Sequence, residues 1–139
     1  MRFGPCGTTV IVVDASVLAV ALGDDGQHGA AARERLHGEE LAAPELIDPE
    51  VLSVLRRYVA AGLTTAQRGE EAMADLIDLP LRRASHRPLL RRCWELRHNL
   101  TSYDACYVAL AETLDVPLLT ADGRLADAPG LRCAVELLE

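Results

Sequence analysis

The sequence predicts one α/β domain, a parallel β-sheet with helices packed on both faces. Three observations carry that expectation. Val10, Ile11, Val12 and Val13 form an unbroken β-branched run without alternation, the mark of a central parallel strand buried on both sides. Short strand-like segments alternate along the chain with stretches of helical periodicity, as in successive βαβ units. Acidic residues recur where a strand ends or a helix begins, and such a topology gathers these points at one end of the sheet. At 139 residues, half of them apolar, the chain suffices for one core, and no repeat or low-complexity linker divides it.

Taken in order, residues 1–7, with Gly4, Pro5 and Gly7, read as a poorly ordered lead-in. The first strand is expected over 8–13 and is followed at once by Asp14, Ser16 and an apolar segment ending at Leu22. Gly23 to Gly26 form a turn. A short helix is expected over 28–36, then a second strand over 41–43 stopped by Pro44. The next helix, over 45–61, carries Val51, Leu55, Tyr58 and Val59 on one side. Its start is open between Asp48 as cap with Pro49 in the first turn and an earlier beginning near Pro44.

Gly62 to Thr65 supply a loop and cap for a helix over 66–77. Leu79-Pro80-Leu81 reads as a short edge strand, and 87–97 as a helix with Leu89, Leu90, Cys93, Trp94 and Leu96 turned inward or to an interface. Thr101 or Ser102 caps a largely buried helix with Tyr103, Tyr107, Leu110 and Leu114 at helical spacing, so Asp104 falls in its first turn. Asp115-Val116-Pro117 ends that helix. Leu118-Leu119 is a very short strand that delivers Thr120, Ala121 and Asp122 to a loop. A turn of helix over 123–126 and a last strand over 132–137 complete the chain.

Composition narrows the chemistry. The formal charge is −7, which argues weakly against a nucleic-acid partner, and the basic residues are all Arg, which excludes any mechanism needing a lysine. Arg82, Arg83, Arg87, Arg91, Arg92 and Arg97 nonetheless cluster with only Glu95 opposing them, either as a solvated helix face or as a footprint for an anionic partner. Cys6, Cys93, Cys106 and Cys133 lack paired spacing and read as reduced thiols of a cytoplasmic protein. No histidine stands at metal-ligand spacing, so zinc is not expected. Ala19-Val20-Ala21 resembles a signal-peptidase site, but Asp14 interrupts the apolar run before it, and no stretch approaches a membrane span.

Asp14, Glu50, Asp104 and Asp122 all fall at the same end of the expected sheet. Four carboxylates brought together without a basic neighbour in sequence repel one another, and a hard divalent cation neutralises such a cluster.

Val-Val-Asp-Ala-Ser-Val-Leu near the start, Ala-Pro-Glu-Leu-Ile-Asp-Pro-Glu-Val-Leu-Ser-Val-Leu-Arg-Arg in the middle, and Thr-Ser-Tyr-Asp-Ala-Cys-Tyr-Val-Ala-Leu-Ala-Glu with Pro-Leu-Leu-Thr-Ala-Asp-Gly-Arg-Leu towards the end resemble a PIN-domain ribonuclease of the VapC toxin type. Three motifs in order, with compatible gaps, cover the chain from about Val10 onward. The resemblance implies a three-layer α/β/α sandwich, commonly dimeric, that cleaves RNA and is inhibited by a cognate VapB antitoxin. It implies that Asp14, Glu50, Asp104 and Asp122 form an acidic tetrad, with Asp14 and Asp104 the most direct ligands of Mg2+ or Mn2+ and Ser16 and Thr120 as hydroxyls beside them.

Two departures stand out: a longer lead-in, and Glu45 and Asp48 close to Glu50. The latter two are expected to cap the helix, while Glu50 fits the motif. Rival classes lack their signatures. A receiver domain needs a lysine, a haloacid-dehalogenase-type phosphatase needs Asp-x-Asp where Asp14-Ala15-Ser16 stands, and a dinucleotide-binding domain needs Gly-x-Gly-x-x-Gly. A non-catalytic PIN-like module binding RNA or protein is the remaining alternative.

Overall fold

The structure, a computed structural model, describes residues 9–139. The expected lead-in, Cys6 and the first residue of the expected first strand lie outside that range. The elements follow in the order β1 (Val10–Val13), α1 (Ala15–Gly23), α2 (Gln27–Leu36), β2 (Glu40–Pro44), α3 (Ile47–Ala60), α4 (Ala66–Asp78), β3 (Leu81–Ala84), α5 (Leu90–Glu95), α6 (Ser102–Leu114), β4 (Leu118–Thr120), α7 (Gly123–Ala126) and β5 (Val135–Leu137). A 3-10 turn, Arg87–Leu89, leads into α5.

The five strands form one wholly parallel sheet in the order β3-β2-β1-β4-β5. Right-handed crossovers fix the layers. The chain moves outward from β1 through β2 to β3, which puts α1 to α4 on one face, where α1 packs on α2, α3 and α4. It then crosses back to β4 on the far side of β1, which puts α5 and α6 on the other face, with α6 against β1 and β2. The strand order therefore reverses between β1 and β4, the point at which open α/β sheets form clefts.

The core explains the pattern. Val12, Val13, Leu118 and Leu119 are fully buried in the two central strands, and α6 is buried over the seven consecutive residues Ala105 to Ala111. Thr101 is the α6 cap, its hydroxyl accepting from the Asp104 N–H at 3.1 Å.

Three expectations shift. The edge strand starts at Leu81 rather than Leu79, because Pro80 has no N–H for the ladder, and it takes in Arg82 and Arg83. The helix expected over 87–97 is a 3-10 turn plus six residues of α-helix. The last strand is confined to Val135–Leu137.

Candidate metal centre

Register brings the first two groups together. Val12 pairs with Leu118 and Val13 with Leu119, so Asp14 emerges level with Thr120 at the carboxyl ends of β1 and β4. Asp14 is 6% exposed and caps α1. Its Oδ1 accepts from the Ser16 hydroxyl at 2.5 Å and from the Val17 N–H at 3.2 Å, and its Oδ2 accepts from the Thr120 hydroxyl at 2.5 Å. The same hydroxyls accept from the following loop: Ser16 from the Ala121 N–H at 3.1 Å and Thr120 from the Asp122 N–H at 3.0 Å. Asp122 then caps α7, accepting from the Arg124 N–H at 2.9 Å. Ser16 and Thr120 thus tie the first acid to the loop that carries the fourth.

All four acids line one cleft of about 530 Å³ between α3 and α6. The environments of Asp14, Glu50 and Asp104 oppose ionisation. Burial holds Asp14 above the usual carboxylate range, with a smaller contribution from Asp104, against its three hydrogen bonds. Burial also raises Glu50, and Asp104 and Asp14 add to it, while a hydrogen bond from Tyr107 works the other way. Asp104 is raised by burial and then by Asp122, with Thr101 and Arg124 opposing. Each of these three acids is thus raised partly by the charge of another member of the group.

The donor set is wholly hard oxygen, and it carries excess negative charge inside a partly closed cleft. Among the described residues no three such side chains already stand at caging distance. Mg2+ keeps several waters and takes one or two carboxylates, so a hard-oxygen donor set of this kind can serve it without a full protein cage. The residues fit a hard divalent cation.

A PIN-domain profile matches residues 11–131. The chain is 44% identical over 128 residues to Ribonuclease VapC1 of Mycobacterium tuberculosis, covering 91% of this chain and 96% of that one. This chain is a PIN domain of the VapC family. It is also 41% identical over 129 residues to Ribonuclease VapC12 of the same organism, covering 93% and 99%. Solved structures repeat the fold at low identity. VapBC2 from Rickettsia felis, bound to a DNA fragment from its promoter, gives a TM-score of 0.67 at 11% identity, covering 94% of this chain and 99% of that one. M. tuberculosis VapC20, a sarcin-ricin loop cleaving toxin, gives 0.61 at 17%, covering 78% and 86%.

Within this PIN domain, Glu45 and Asp48 do not cap α3. The N-cap position is Leu46, without a side-chain cap, and the Leu46 N–H donates to His86 Nε2 at 3.0 Å. Asp48 instead pairs with Arg83 at 2.8 and 3.1 Å, and Glu45 is exposed. Neither lines the cleft.

Part of the arginine cluster is engaged within the fold, while Arg87, Arg91 and Arg97 are exposed. Arg82 pairs with Glu40, Arg83 with Asp48 and Arg92 with Glu112, while Arg97 lies 4.6 Å over the Trp94 ring. Cys93 and Cys106 are buried free thiols 3.8 Å apart, and Cys133 is a half-buried one.

Three cleft residues lie within the sequence motifs but take no functional role from the sequence. Tyr107, 1% exposed, donates its hydroxyl to Glu50 Oε1 at 2.6 Å and read only as a core position. Tyr103, expected on the buried face of α6, is 65% exposed at the cleft wall. Arg57, seven residues beyond Glu50 and so on nearly the same face of α3, lines the cleft as well.

Proposed function

We propose that this single-domain protein is a Mg2+- or Mn2+-dependent endoribonuclease, the toxin of a type II toxin–antitoxin pair. The observation that carries the reading is the convergence of Asp14, Glu50, Asp104 and Asp122 on one cleft at the strand-order reversal. The likeness to Ribonuclease VapC1 and Ribonuclease VapC12 over nearly the whole chain supports RNA as the substrate.

Asp14 and Asp104 would hold the ion most directly, with Glu50 and Asp122 beside them. A divalent ion there supplies polarisation of a phosphodiester and a more acidic water for in-line attack. The protein's own groups aim the acids and offset part of the burial that opposes their ionisation. Ser16 and Thr120 donate to both oxygens of Asp14, Tyr107 donates to Glu50, and the Thr101 cap fixes the turn that carries Asp104. No histidine or lysine base is needed.

The partner is a VapB-type antitoxin, a reading supported by the fold's likeness to a toxin–antitoxin complex from Klebsiella pneumoniae. The working form is a homodimer in the cytoplasm, a point that light scattering on the purified protein checks. Among the described residues no helix is long and apolar enough to cross a membrane.

Purified protein should cleave single-stranded RNA in Mg2+ or Mn2+ and stop in chelator, and Asp14→Asn or Asp104→Asn should abolish cleavage. Binding of RNA without any cleavage, in either metal, would make the chain a non-catalytic module instead.

A further inference from the structure

We propose that Arg57 and Tyr103 form a subsite for the RNA flanking the cut, Tyr103 stacking on an unpaired base and Arg57 pairing with a neighbouring phosphate. The inference rests on the ribonuclease reading and extends it to how the strand is held.

Arg57 is the one cationic side chain that lines the cleft among the described residues. It is exposed, and its guanidinium makes no hydrogen bond or ion pair there, in contrast to Arg82, Arg83 and Arg92. A guanidinium in the same cleft as the four acids, unpaired among the described residues, is available to an incoming anion. Two turns of α3 separate it from Glu50, about 10 Å along the axis. It therefore meets a different part of a bound strand from the part facing the carboxylates. Ser53, one turn from Glu50, lines the cleft between them.

Tyr103 stands on the opposite wall, one residue before Asp104 in the first turn of α6. Its hydroxyl has no hydrogen-bond partner among the described residues, and 65% of its surface is open. An exposed ring beside an acid that would face the scissile phosphate is a stacking platform for the adjacent base. Stacking of this kind requires a base already out of a helix, so the strand is single-stranded at the cut.

The test uses Asp104→Asn protein in Mg2+ and a short labelled single-stranded RNA of mixed sequence. In that background Tyr103→Ala should weaken binding roughly tenfold with an unchanged salt slope, and Tyr103→Phe should restore it. Arg57→Ala should flatten the slope of log affinity against log salt by about 0.7, and Arg57→Lys should keep it. Arg56→Ala, facing a separate groove lined by Leu52 and Met73, should change neither.

Unchanged affinity and slope in both alanine variants would overturn the proposal. So would equal effects of Arg56 and Arg57, or loss of dimer in place of loss of RNA. Those results leave the nuclease reading standing, which falls only if wild-type protein fails to cleave or Asp104→Asn still does.

Discussion

Asp104→Asn should separate stability from activity, raising the first while abolishing the second. The change preserves side-chain size and keeps the α6 cap, because the bond to Thr101 is made by the residue 104 backbone N–H. What it removes is a charge whose net environment is unfavourable: burial and Asp122 raise the Asp104 carboxyl more than Thr101 and Arg124 lower it. A carboxyl raised in the folded state binds its proton more tightly there than in the unfolded chain. Its ionisation therefore costs stability, a cost absent below the ordinary aspartate range and complete once pH exceeds the folded value.

Charge interactions of a half-buried, solvent-screened group such as this are worth about 1 kcal/mol or less. For a domain of this size the variant should melt about 3 °C higher than wild type in chelator at neutral pH. The gap should close as pH falls through the carboxylate range. Saturating Mg2+ should reverse the order. Wild type gains about 2.7 kcal/mol when metal stands a hundredfold above its dissociation constant, and the variant, short of a ligand, gains less. Thermal melts from mildly acidic to mildly basic pH, with and without metal, decide it. A variant that melts below wild type in chelator at neutral pH, or an equal Mg2+ shift in both, would refute the membership of Asp104 in a mutually repelling ligand set.

Thr120→Val keeps the shape of a fully buried side chain but strips Asp14 of a donor and the Asp122 N–H of its acceptor. It should cost about 2–3 kcal/mol in urea unfolding and most of the cleavage rate. Tyr107→Phe leaves Glu50 without its donor, so its carboxyl should rise further, Mn2+ titration should show weaker binding, and stability should fall by about 1–2 kcal/mol. Arg82→Ala and Arg83→Ala break half-exposed pairs with Glu40 and Asp48. Each should cost about 1 kcal/mol or less while leaving the salt dependence of RNA binding untouched.

What could be read from the sequence was whatever local chemistry controls. The β-branched run of β1, the Thr101 cap and the buried Ala-rich face of α6 follow from residues within a few positions of one another. The acids were found because each sits next to such a landmark. What could not be read depends on distant partners. Asp48 looks like a cap in sequence, yet Arg83, 35 residues away on the edge strand, claims it. Tyr103 and Tyr107 share a periodicity, but α6 begins at the rim of the cleft, so one ring stays in solvent while the other meets Glu50 across the cleft. Arg57 closes the middle motif, but in sequence only its spacing from Glu50 ties it to the cleft. Linear density in the arginine cluster could not show that Glu40, Asp48 and Glu112 fold back onto Arg82, Arg83 and Arg92.

The bond between Thr120 and Asp14 also has a bearing on timing, since its partners lie 106 residues apart. A chain emerging from the ribosome at about 5–20 residues per second exposes the β1 end roughly 5–20 s before β4 can reach it. Through that interval Asp14 has neither its second oxygen's donor nor the loop that brings Asp122, and β1 lacks the neighbour strand that closes the cleft. Any activity of the cleft belongs to the finished chain. A ribosome halted before β4 releases a fragment without the completed cleft.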